Sequence, residues 1–125
     1  MMKTKIIFED EDILVCHKPA GIAVQASAGW QQDVESELKN YLASKAGNRM
    51  PYLAVIHRLD QPVCGLLVFA KNKKAAASLS AQIQDGRAGK QYKALVRGVF
   101  EEEQKEGSLE HMLLKEPGSN ISCVV

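Results

Sequence analysis

Residues 53–71 read Leu53-Ala54-Val55-Ile56-His57-Arg58-Leu59-Asp60-Gln61-Pro62-Val63-Cys64-Gly65-Leu66-Leu67-Val68-Phe69-Ala70-Lys71. Two short apolar runs, 53–56 and 65–70, bracket a polar turn that holds His57, Arg58 and Asp60. Apolar runs of this length bounded by turn residues read as strands. The unbroken second run is expected to be buried on both faces. Asp60 thus follows a strand end, where the backbone fixes its position.

Upstream, residues 5–8 and 13–17 form two further strand-like segments joined by the acidic turn Glu9-Asp10-Glu11-Asp12. Pro19-Ala20-Gly21 ends the second, because proline lacks a ladder donor and glycine permits a reversal. A short extended piece over 22–25 leads into a glycine-containing loop that carries Trp30. Val34, Leu38, Tyr41 and Leu42 then recur at helical spacing, with Asp33 placed as N-cap and Gly47 as terminator. Downstream, Asn72 can cap a second helix over 73–85, with Ala75, Ala76, Leu79 and Ile83 inward and Gly86 at its end. Residues 90–100 alternate, with Tyr92, Ala94 and Val96 on one side and Lys93, Leu95 and Arg97 on the other, which predicts a strand. Two more strands are expected at 109–114 and 120–125. The order β-β-α-β-β-α-β-β-β describes an α+β domain with a mainly antiparallel sheet and two helices.

A chain of 125 residues can bury one modest core, and 46% hydrophobic with 25% charged residues is a folded rather than a disordered balance. No apolar run approaches the ~18 residues that span a bilayer, so no membrane partner is expected. The charged start, residues 1–10, leaves no room for a signal-peptide apolar core. Cys16, Cys64 and Cys123 are odd in number and widely spaced, which fits reduced thiols and a cytoplasmic location. The net charge of +1 is uneven: Lys71, Lys73, Lys74, Arg87, Lys90, Lys93 and Arg97 face only Asp85 between 71 and 98, leaving −5 elsewhere. Such a basic stretch suits a polyanion partner and also an ordinary solvated face.

A carboxylate immediately after an apolar strand end, beside a cation that keeps it ionised, can act as a base or nucleophile. Asp60 capping a turn and paired with Arg58 would look identical in sequence. The kinase loop H-R-D differs in order from His57-Arg58-Leu59-Asp60, and no glycine-rich phosphate loop or D-F-G accompanies it. His17, His57 and His111 lack metal-ligand spacing.

Four runs taken together are more specific. Lys18-Pro19-Ala20-Gly21, His57-Arg58-Leu59-Asp60, Gly65-Leu66-Leu67-Val68-Phe69-Ala70-Lys71 and Lys90-Gln91-Tyr92-Lys93-Ala94-Leu95-Val96-Arg97-Gly98 occur in the order seen in RluA-type RNA pseudouridine synthases. The chain resembles that family over residues 5–125. The resemblance implies an isomerase that turns uridine into pseudouridine in ribosomal or transfer RNA, with no metal or organic cofactor. It implies that Asp60 is the nucleophile, that Arg58 holds the flipped nucleotide out of the stack, and that Tyr92 packs against the base. His57, Lys71, Lys90, Lys93 and Arg97 are the expected RNA contacts. Lys18 to Gly21 is expected to be a structural turn that braces the Asp60 loop.

Two departures stand out. Val63-Cys64 replaces the family's usual Thr-Ser, which removes a hydroxyl near Asp60. The family's catalytic domain also continues past the position of Val125, and that later part supplies a basic partner for the aspartate. The expectation is therefore a partial catalytic domain over 1–125, apparently truncated and without a separate RNA-binding domain. Its open sheet edge should promote self-association. The alternative reading is a catalytically incomplete RNA-binding or interaction fragment.

Overall fold

Asp10 closes the acidic turn: its Oδ1 accepts the backbone N–H groups of Asp12 and Ile13, each at 2.8 Å. This local side-chain turn joins β1 (Lys5–Glu9) to β2 (Ile13–Lys18) as an antiparallel hairpin. The computed structural model describes residues 2–47, 49–119 and 121–125. These fall into two compact units, Met1–Lys90 and Gln91–Val125.

In the first unit, β4 (Gly65–Ala70) pairs with the whole of β2, from Ile13 opposite Ala70 to Lys18 opposite Gly65. The two-residue β3 (Ala54–Val55) pairs with the other side of β4, so the sheet runs β1-β2-β4-β3 with every neighbour antiparallel. This register places Leu14 beside Phe69 and Cys16 beside Leu67, and all four are buried.

Helix α1 (Val34–Lys45) joins that face through Val34, Leu38 and Leu42. Asp33 caps it as expected, taking the Ser36 N–H on Oδ1 and the Ala26 N–H on Oδ2, both at 2.7 Å. Glu37 lies on the same stripe and is buried, accepting from the Lys3 and Thr4 backbone at 3.0 and 2.9 Å. Burial, with a smaller push from the Glu37 charge, raises the Cys16 thiol to about 12, so it stays protonated and inert.

Helix α2 (Lys73–Gln84) starts where expected, with Asn72 Oδ1 accepting the Ala75 N–H at 2.8 Å. Its stripe of Ala75, Ala76, Leu79 and Ile83 is only half-buried. The expectation that β4 is buried on both faces is corrected for the same reason. The helix covers one end of the outer face, and Leu66 at the other end is 60% exposed.

Glu9 ties three elements together. Its carboxylate accepts from Lys71 Nζ, Lys45 Nζ and Tyr41 Oη, each at 2.9 Å. Burial alone would raise its pKa, but the three hydrogen bonds outweigh that and lower it from 4.5 to about 2. A lowered carboxylate pKa adds stability above the unfolded value, and that stability is lost as pH falls from 4.5 towards 2. Glu9→Gln is expected to lose about 2 kcal/mol at pH 7 and almost nothing at pH 2. Urea melts of both proteins across this range check the prediction, and a pH-independent difference would contradict it.

In the second unit, β5 (Leu113–Lys115) and β6 (Ser122–Val124) form an antiparallel pair. Both are shorter than expected, and Asn120 lies outside the described residues. The strand expected over 90–100 is absent: Gln91–Val96 is irregular and Leu95 and Val96 are exposed. Alternation marks a chain able to pair, but a strand exists only where another edge accepts its ladder.

Candidate active site

The segment between β3 and β4 is held at both ends, and Asp60 lies between the holds. At the first end, His57 Nε2 accepts the backbone N–H of Val68 at 3.2 Å. Val68 sits one residue past Phe69, the last position of β4 that β3 reaches. The ring is half-buried, and burial followed by the nearby Lys90 charge lowers its pKa.

At the second end, the Gln61 carbonyl accepts from Gly21 N at 2.8 Å and from Lys18 Nζ at 3.1 Å. The Gln61 side-chain amide returns a bond to the Gly21 carbonyl at 3.0 Å. Lys18 is fully buried, and its ammonium also donates to the carbonyls of Ile22 at 2.7 Å and Pro19 at 3.0 Å. Burial lowers the Lys18 pKa, while the fields of Cys64 and Asp60 partly restore it. Three backbone acceptors and a nearby carboxylate keep a buried charge tolerable there. Gly21 enters this turn at φ +89°, a backbone that favours glycine.

Between these anchors Leu59 packs against the core, and just past the second anchor Val63 N donates back to the Asp60 carbonyl at 3.0 Å. A Cβ on Gly65 would stand 3.2 Å from Leu59 Cδ1, and its φ of +156° also suits glycine. The side chains of Arg58 and Asp60 are exposed. Among the described residues they form no ion pair with each other, so the sequence-level reading of Asp60 as an Arg58-paired cap does not hold.

Lys71 does not present a free charge. Its ammonium is paired with Glu9 and also donates to the Asp10 carbonyl. Lys90 is exposed near the His57 ring. Tyr92, Lys93 and Arg97 belong to the second unit and are exposed. Gln61 was not singled out in the sequence, although its amide and carbonyl form half of the second anchor. Glu37 was legible in principle, since positions 34, 37, 38, 41 and 42 lie on one helix face.

The family model described as RNA pseudouridylate synthase matches residues 12–123. The chain belongs to this family. It is 38% identical over 99 residues to the ribosomal large subunit pseudouridine synthase D of Pseudomonas aeruginosa, covering 79% of this chain and 31% of that protein. The ribosomal large subunit pseudouridine synthase C of Pasteurella multocida is 36% identical over 100 residues, covering 80% and 29%. An uncharacterized RNA pseudouridine synthase of Helicobacter pylori is 32% identical, covering 98% of this chain and 38% of its own length. The chain therefore spans about a third of the length of the curated relatives it matches. The solved structure of human RNA pseudouridylate synthase domain containing 4 shares the fold, with a TM-score of 0.53 and 24% identity over 66% of this chain and 30% of that one.

Proposed function

We propose that this chain carries the nucleophile-bearing part of an RNA pseudouridine synthase centre, with Asp60 as the attacking carboxylate. The observation that carries the reading is the Asp60 turn, fixed by His57 at one end and Lys18 and Gly21 at the other, with the carboxylate open to solvent. Asp60 attacks C1′ of a uridine in ribosomal or transfer RNA as the N1–C1′ bond breaks. The freed uracil turns, its C5 displaces the carboxylate from C1′, and C5 then loses its proton while N1 takes one up, so the product is an isomer. A base stacked in RNA must first be extruded, at a cost of a few kcal/mol. Tyr92 offers a face on which the flipped base can stack, worth roughly 1–3 kcal/mol. The planar Arg58 guanidinium fills the vacated space. His57, Lys90, Lys93 and Arg97 contribute to the RNA surface, Lys71 only through its backbone region, and the reaction runs in the cytoplasm. No helix among the described residues is long and apolar enough to cross a membrane.

The test is pseudouridine mapping on ribosomal and transfer RNA incubated with this chain at several salt concentrations. Site-specific modification is expected, with RNA affinity that falls as salt rises. The short span relative to the relatives favours one second reading, an RNA-binding fragment that lacks part of the pocket. Retention of RNA without any modification would select it.

Self-association belongs to the same proposal. Leu113, Leu114, Ile121 and Val124 on and beside the β5–β6 pair are all exposed. A two-stranded sheet with apolar flanks is marginal in water by itself. Light scattering should show a mass that rises with protein concentration. A constant monomer mass would contradict it.

A further inference from the structure

We propose that His57 is a positioning residue: its neutral imidazole stands in for a missing strand partner at Val68 and latches the Asp60 turn to β4. This deepens the reading of Asp60 as nucleophile and rests on it. β3 supplies ladder partners to Ala70 and Phe69 and then stops. The next β4 N–H, that of Val68, is taken by the His57 ring nitrogen at 3.2 Å. A ring nitrogen that accepts a hydrogen bond carries no proton, so the proton of the neutral ring lies on Nδ1. His57 is the first residue of the turn, and Asp60 follows three positions later. With Lys18 gripping Gln61, the latch leaves the chain between 57 and 61 little freedom to wander.

The latch is sensitive to acid. Protonation makes Nε2 a donor that faces another donor, and the bond is lost. Around the ring, α2 presents Leu79, Gln82 and Ile83, β4 presents Val68, and the segment after α2 brings Lys90. No carboxylate from these elements faces the imidazole among the described residues, and Lys90 adds a like charge. The folded ring therefore titrates below its ordinary 6.5. The latch is intact above that value and opens as pH falls through the lowered one.

The experiment uses the 15N-labelled full chain together with His57→Phe and His57→Gln. Phenylalanine keeps the ring's bulk without an acceptor, while the glutamine amide oxygen can accept and does not titrate. NMR of the wild type is expected to show the Nδ1–H tautomer at neutral pH. Val68 amide exchange should speed about tenfold in His57→Phe and return close to the wild-type rate in His57→Gln. Single-turnover pseudouridine formation at saturating RNA should fall in His57→Phe, recover in His57→Gln, and lose its acid limb there. An Nε2–H tautomer in the wild type, or equal Val68 exchange in wild type and His57→Phe, would overturn the latch. If His57→Phe does not fold, the tautomer and its titration in the wild type decide. Absence of modification by every variant, with tautomer and exchange as stated, would count against the reaction and not against the latch.

Discussion

Asp60→Ala is expected to lower pseudouridine formation at least about a thousandfold while leaving folding and RNA retention almost unchanged, because on the proposed reading Asp60 is the covalent nucleophile and its removal leaves no route for that step. The separation of effects follows from the geometry. The side chain is exposed and forms no ion pair with Arg58 among the described residues, so its loss leaves no cavity. The turn is held through the Asp60 carbonyl and the Val63 N–H, both of which alanine keeps. The one stabilising effect lost is the carboxylate's field on buried Lys18, so a stability change of no more than about 1 kcal/mol is expected. Asp60→Asn is the stricter arm, since it preserves shape and removes only nucleophilic charge. Mapping of modified RNA, filter retention and a thermal melt on the same preparations provide the three readouts. Residual modification within tenfold of the wild type would remove Asp60 from the chemistry.

How far the sequence reveals this arrangement depends on the range of each interaction. Asp33 and Asn72 were legible as caps because the N–H each accepts lies only three residues on. The Asp10 turn is equally local. β2 and β4 were legible as strands since their apolar residues have to be hidden from water. The strand expected over 90–100 failed because alternation carries no information about whether an edge is available. The exposure of Leu66 has the same origin: a continuous apolar run does not say how far α2 reaches across the sheet. At the site, Asp60 could be located from its motif, but the use of His57 as a ladder partner depends on where β3 stops, which no local pattern reveals. Lys71 looked like a phosphate contact because its partner, Glu9, lies 62 residues away in the chain. The Lys18 turn was recognised as a brace through the family resemblance, whereas its three carbonyl acceptors emerge only from the fold.

Lys18→Met should be the most damaging single change to the first unit, and its effect separates support from chemistry. Methionine matches the length of the buried stem and removes the desolvation cost of the ammonium, which alone would favour the variant. Against that, the carbonyls of Pro19, Ile22 and Gln61 each lose a charged donor in a place where the side chain is fully buried. Unsatisfied buried acceptors cost roughly 1–3 kcal/mol each, and bonds from a charged donor are at the strong end. The balance is a loss of about 3 kcal/mol, or on the order of 10 °C in melting temperature for a unit of this size. Lys18→Arg should recover little, because the larger planar guanidinium does not fit a pocket shaped for one ammonium. Activity is expected to fall with stability in Lys18→Met, and partial recovery at low temperature should follow as the turn re-forms. Asp60→Ala, by contrast, should remain inactive at every temperature. If Lys18→Met melted with the wild type, the three carbonyls would have another source of donors, and the anchor at Gln61 would rest on Gly21 alone.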